Sequence, residues 1–238
     1  MTIILGFPAA DGVVLASDSQ VTKGDVRFKD TKIFQLYKNI IWGAAGNVAL
    51  IQAVKLKMRD YADPESLGSL DDLCRDLAKH IKKSTEELLD LDFRTTYLPQ
   101  DRPALALNYY AEFLFGEHSK EGSGLLKITS YGSPEWIKQR PEALGNGSTF
   151  AYALLQKYQG LKLDVERACV LAYKTIEEAI AVGAYGLGPP IDIWVVDDCG
   201  TRRLDKDTDI PALEDTVKGI REKELESFRP RSPSPAKD

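Results

Sequence analysis

The chain reads as an α+β protein, a four-layer αββα sandwich of two antiparallel sheets flanked by helix pairs. Three observations predict this. The first segments are short β-branched runs separated by turn residues, which makes the chain open on hairpins. The apolar period then changes twice from strand-like to helical and back. The resulting order is strands, two helices, strands, two helices, strands, which is neither regular βαβ alternation nor an all-β pattern and suits two stacked sheets covered on both outer faces.

The elements follow in order. Residues 2–7 are apolar and β-branched, Asp11-Gly12 is a turn signal, and 13–19 is a second strand that starts apolar and ends polar. Lys23-Gly24-Asp25 marks another turn, and 32–37 with 40–45 form a further strand pair about Lys38-Asn39. Helical spacing covers 48–61 and 70–91, broken at Asp63-Pro64. Strand-like composition returns over 104–115 and 125–131, with Gly116-Glu117-His118-Ser119 read as a turn. Gly145-Asn146-Gly147-Ser148 is a glycine turn with an N-cap that opens a helix to about residue 158, and a second helix covers 163–182. Residues 191–196 form a strand that 201–204 can pair with. The sequence divides into a domain over 2–205 and a charged tail over 206–238, helical over 213–228 and then, in RPRSPSPAKD, of disordered composition.

Composition narrows the function. The chain has 238 residues, 43% apolar and 28% charged, enough for one large core. A net charge of −5 argues against sequence-independent nucleic-acid binding. No apolar run approaches the roughly 20 residues that span a bilayer, and no secretory signal is read at the N-terminus. The three cysteines are widely spaced and odd in number, which fits small buried residues in a reducing cytoplasm. The two histidines, His80 and His118, have no His or Cys at metal-ligand spacing, so hydrolytic chemistry here needs another base. No metal or cofactor is expected.

Four places carry chemistry. Removal of Met1, expected before a small second residue, leaves Thr2 with a free α-amine beside its β-hydroxyl. An α-amine has a reference pKa of about 7.7–8.0 and is a usable base near neutrality, and threonine with its own amine is a recognised nucleophile. Asp18 ends an apolar strand, where a buried carboxylate must be paired, although a strand end can also face water. Lys32 starts an apolar strand. It serves either as an edge gatekeeper or as a cation beside Asp18 and Thr2 that lowers the amine pKa. Ala44-Ala45-Gly46-Asn47 is a small-residue strand-to-helix turn, and the Gly46 N–H at a helix N-terminus can stabilise an oxyanion.

Taken together, TIILGFPAADGVVLASDSQVTKG, DTKIFQL and IIWGAAGNVA resemble the start of proteasome β subunits and, less closely, the peptidase of the bacterial two-component heat-shock protease. ALGNGSTFAYALLQ is similar to that family's glycine turn into a helix, and PPIDIWVVDDCG to its penultimate strand and turn, so the resemblance covers about 2–204. It implies the N-terminal-nucleophile hydrolase fold and a threonine-type endopeptidase in a divergent prokaryotic homologue. Thr2 then matches the nucleophile, Asp18 the carboxylate that orients the lysine, Lys32 that lysine, and Gly46 the oxyanion donor. Asn146 stands where the family usually has serine. Thr22 and Val48 match positions that hold the substrate backbone, and Val21, Ala44 and Val48 match walls of the pocket for the side chain before the cut. The small Ala44 suggests an apolar side chain of fair size there. The family's Asp and Ser near the end of its last long helix have no match in Gly183-Ala184-Tyr185-Gly186-Leu187-Gly188.

The resemblance further implies peptide or unfolded-protein substrates, a cytoplasmic homo-oligomeric ring, and compatibility with an ATPase or α-type partner. It implies no nucleic acid and no membrane. Two other readings use the same residues or the same fold: an amidase or acylase of small amides, and a catalytically silent ring subunit.

Overall fold

A computed structural model describes residues 2–23, 26–60, 62–93, 101–183 and 186–229, with the side chains of 21–23, 26–27 and 102 outside the description. The strands β1 (Ile4–Ala9) and β2 (Gly12–Asp18) form the opening hairpin. They are flanked by β10 (Glu142–Leu144), β11 (Ile191–Asp197) and β12 (Gly200–Arg203), giving a five-stranded antiparallel sheet ordered β10-β1-β2-β11-β12. A second antiparallel sheet is ordered β5-β6-β7-β8-β9, from β5 (Ile33–Tyr37), β6 (Ile40–Gly46), β7 (Ala111–Ser119), β8 (Gly122–Thr129) and β9 (Pro134–Ile137). A separate two-stranded ribbon joins β3 (Gln20–Lys23) to β4 (Val26–Lys29).

Alternation along the strands decides what each side chain packs against. Ile3, Leu5 and Phe7, with Val14 and Ala16, face α4 (Ser148–Leu155) and α5 (Val165–Ala181). Ile4, Val13 and Leu15 point the other way and meet Ile33, Ile41, Leu114 and Leu125 of the second sheet. On the far side of that sheet, Trp42, Phe113 and Phe115 pack against α1 (Val48–Met58) and α2 (Leu70–Phe93). Helix pair, sheet, sheet and helix pair are thus the four layers expected. The sheets come close because Gly6 carries no side chain: a Cβ there would lie 2.7 Å from Leu114 Cδ2.

Two of the helices start on side-chain caps. Asn47 caps α1, its side chain accepting from the Leu50 N–H at 3.0 Å, and Asp164 caps α5 through the Arg167 N–H at 2.8 Å. The helix α6 (Asp209–Ser227) begins earlier than expected and lies on α5, with Val217 fully buried and Arg221 paired to Glu177 at 2.8 Å.

Several segments differ from the sequence reading. Residues 104–115 are not one strand: α3 (Arg102–Ala106) and a 3-10 turn over Leu107–Tyr109 precede β7. Proline in its first turn and the run Ala104-Leu105-Ala106 favour a helix there. His118 lies in β7, and the turn follows at 120–121. The cap of α4 is Gly147, with no side-chain cap bond. The strands β3, β4, β9 and β10 were not expected. They have three or four residues each, too few to show a period. Residues 24 and 25 of the expected turn and residues 230–238 of the tail lie outside the described residues. No described helix is long and apolar enough to cross a membrane.

Candidate active site

The antiparallel register of the first hairpin sets the site. Ile4 pairs with Ser17, so residues 2 and 3 lie beside Asp18 at the same end of the sandwich. The second sheet brings its own contribution to that end. Ile33 pairs with Gly43, which leaves Lys32 at the start of β5 beside the last residues of β6, Ala44 to Gly46.

Asp18 is fully buried and Lys32 nearly so, with side-chain exposures of 0% and 7%. The Lys32 ammonium donates to Asp18 Oδ1 at 2.7 Å and to the Gln20 carbonyl at 2.7 Å. Asp18 also accepts from the backbone: Ile3 N–H on Oδ1 at 3.0 Å, and Gln20 and Gly188 N–H on Oδ2 at 3.3 and 3.4 Å. A buried ion pair is costly to desolvate unless hydrogen bonds satisfy its remaining lone pairs, and here three backbone donors do so. Burial pushes the Lys32 ammonium below the usual lysine range, while Asp18, by charge and by hydrogen bond, and Asp30 pull it back up.

Thr2 is half-buried at the mouth of a cleft of about 600 Å³. Lys32, Ala44, Gly46, Val48 and Asn146 line the same cleft. The structure therefore brings together Thr2, Asp18, Lys32, Gly46 and Asn146, and adds Ala44 and Val48 to the walls. Val21 and Thr22 belong to β3, and their side chains lie outside the described residues. Gly46 has φ +128°, and a Cβ there would lie 2.5 Å from the Tyr110 carbonyl oxygen, so only glycine fits this turn.

Three residues that the sequence reading did not place in the site belong to its frame. Gly145, at φ +85°, sits directly beneath the Thr2 carbonyl, and the Gly147 N–H donates to that carbonyl at 3.4 Å. Gly145 was visible as part of the glycine turn. Gly188 reaches Asp18 through its backbone N–H, so the segment after α5 joins the site by main chain. Gln20 bonds Asp18 with its N–H, Lys32 with its carbonyl, and the Gly186 carbonyl with its side-chain Nε2 at 2.5 Å. Nothing in the sequence marks Gln20, because each of these partners is set by folding. Among the described residues no group of three His, Cys, Asp or Glu side chains converges as a metal site.

A threonine in a cleft lined by a lysine that a buried carboxylate holds is an arrangement suited to nucleophilic chemistry. The family model described as proteasome subunit matches residues 2–196. The chain belongs to the proteasome subunit family. Among its relatives, proteasome subunit beta 2 of Pyrobaculum neutrophilum is 29% identical over 204 residues, covering 83% of this chain and 90% of the relative. Proteasome subunit beta 2 of Caldivirga maquilingensis is 28% identical over 180 residues, covering 74% and 81%. Among solved structures, Anbu (ancestral beta-subunit) from Yersinia bercovieri superposes with a TM-score of 0.70 at 18% identity, over 98% of this chain and 100% of that one. The Anbu complex of Pseudomonas aeruginosa, solved as a helical assembly, gives a TM-score of 0.70 at 22% identity, covering 98% of each chain. These neighbours share the N-terminal-nucleophile fold of the family.

Proposed function

We propose that this family member is a threonine-type endopeptidase working in a self-compartmentalising, homo-oligomeric particle in the cytoplasm. The observation that carries the reading is the Asp18–Lys32 pair, buried and fully hydrogen-bonded on its carboxylate side, opening onto the cleft that begins at Thr2. A pair of this kind is costly to bury for structure alone.

In the proposed cycle Met1 is removed and the Thr2 hydroxyl attacks a peptide carbonyl. The hydroxyl proton passes to the Thr2 α-amine through a water. Lys32 supplies positive potential that lowers the amine pKa, so that the amine is unprotonated near neutrality, and eases loss of the hydroxyl proton, and Asp18 holds Lys32 in place. The Gly46 N–H stabilises the tetrahedral oxyanion, worth on the order of 3 kcal/mol per donor. Collapse breaks the C–N bond, the leaving amine takes the proton, and an ester remains on Thr2. Water then attacks the ester, releases the acid and restores the hydroxyl. Asn146 supports the amine, and Val21, Thr22, Ala44 and Val48 hold the substrate.

The catalytic unit in this reading is 2–205, with 206–238 as an appended tail. Family membership supports assembly with further copies, and the solved Anbu helical assembly offers a helical arrangement as the alternative to a ring. Light scattering of the purified protein distinguishes a particle from a monomer. Thr2→Ala tests the chemistry: it abolishes hydrolysis of fluorogenic peptides with an unchanged unfolding transition, and retained cleavage contradicts the scheme.

A further inference from the structure

We propose that the far end of the Thr2 cleft is a pocket for an anionic side chain, a glutamate-like carboxylate on the residue before the cut, with Lys55 as the specificity-determining cation. The inference rests on reading Thr2 as the nucleophile, and it names the substrate class for that site.

One face of α1 forms the wall of the cleft. Val48, Ile51, Gln52 and Lys55 stand at i, i+3, i+4 and i+7, all lining it. At 1.5 Å of rise per residue, Lys55 is about 10 Å along the helix from Val48. The pocket therefore starts beside Gly46 and runs towards an ammonium. Phe34, on the facing strand β5, holds that ammonium in place, with Lys55 Nζ 3.7 Å from the ring centroid. Between the two ends Ala44 contributes only a methyl group, so no large side chain at residue 44 closes the way. The apolar side chain expected from Ala44 accounts for the middle of this pocket but not for its end. In this proposal the methylene groups pass Ala44 and Ile51, and the carboxylate meets Lys55.

Charge balance in the cleft points the same way. The other ammonium, Lys32, is engaged by Asp18. Lys55 makes no ion pair among the described residues. Two carboxylates line the cleft. Asp30 is exposed to water and accepts from the Thr31 N–H at 2.8 Å, and Glu112 is hydrogen-bonded to the Tyr110 side chain. Asp30 acts on Lys55 through space, and Arg59 opposes it. Lys55 is half-buried, and burial holds its ammonium below the usual lysine range. An incoming carboxylate meets a partly desolvated cation, whereas an incoming ammonium meets carboxylates that are already hydrogen-bonded.

The test reads binding, without turnover. N-acetylated tetrapeptide amides ending in Glu, Gln, Leu or Lys are titrated calorimetrically into the full chain carrying Thr2→Ala. The Glu peptide is expected to bind at least tenfold tighter than the Leu and Lys peptides, with Gln between. Lys55→Gln brings Glu and Leu within about twofold, and Lys55→Glu makes the Lys peptide the tightest. Tightest binding of Leu or Lys before any change at residue 55, a Glu preference that survives Lys55→Gln, or no binding of any peptide at millimolar concentration overturns the proposal. Failure of Thr2 to form an acyl-enzyme in the unmodified chain defeats the peptidase reading instead, and leaves a Lys55-dependent binding preference standing.

Discussion

Gly145 lies so close beneath Thr2 that a Cβ at residue 145 would collide with the Thr2 carbonyl oxygen. Its φ of +85° is also one that L side chains rarely adopt. Both constraints fall on the turn that fixes the first residue of the cleft. Gly145→Ala is therefore expected to lower stability by about 2–3 kcal/mol. It also moves Thr2, so labelling of the hydroxyl slows more than the lost stability explains. Urea denaturation and labelling kinetics, run on the same preparation, check both.

Asp18 accepts from Ile3, Gln20, Gly188 and Lys32, so it is surrounded by donors. Asp18→Asn keeps the shape but turns an NH₂ group towards one of them and takes the carboxylate away from the Lys32 ammonium. Breaking a buried pair from one side costs about 3–5 kcal/mol. The variant is expected to show a denaturation midpoint lowered by that amount and peptide hydrolysis reduced by at least about a hundredfold.

The pH profile follows from the direction of the Lys32 shift. Activity rises as the Thr2 α-amine loses its proton, at a pH below its reference value of about 7.7–8.0 because the nearby Lys32 charge disfavours the protonated amine. It falls again once Lys32 becomes neutral, at a pH below the ordinary lysine value of 10.5. The stability effect has the opposite sign. Between the lowered folded value and 10.5 the unfolded chain binds more protons at this residue than the folded chain does. The cost of burying the ammonium is present below that window and disappears as pH rises through it, so this residue's contribution to stability increases. A rate–pH profile with a falling limb that is absent in a still-active Lys32→Arg variant, which stays charged, is the expected result.

The sequence was most legible where local pattern and burial agree. Residues 2–19 read as a hairpin because β-branched residues flank Asp11-Gly12, and α1, α2 and α5 read as helices because their apolar residues recur every three or four positions. It was least legible where tertiary packing supplies what the local pattern lacks. Glu142 and its neighbours form β10 because the edge of β1 is free to pair and because Lys127 neutralises the buried carboxylate at 2.9 Å. Charge in a three-residue segment hid that strand. In the site, Thr2, Asp18, Lys32 and Gly46 could be proposed from residue type and spacing. Gln20 could not, since its role lies in a main-chain carbonyl on Lys32, an N–H on Asp18 and an amide on Gly186, three contacts that no property of glutamine announces.

The central claim is that Thr2, with a free amine, is the nucleophile of this cleft. Intact-mass spectrometry of the purified protein before and after incubation with a peptide epoxyketone tests it most directly. The expected result is a starting mass lacking Met1 and a single added probe per chain, lost in Thr2→Ala. A chain that keeps Met1, one that takes up no probe, or one whose labelling survives Thr2→Ala contradicts it.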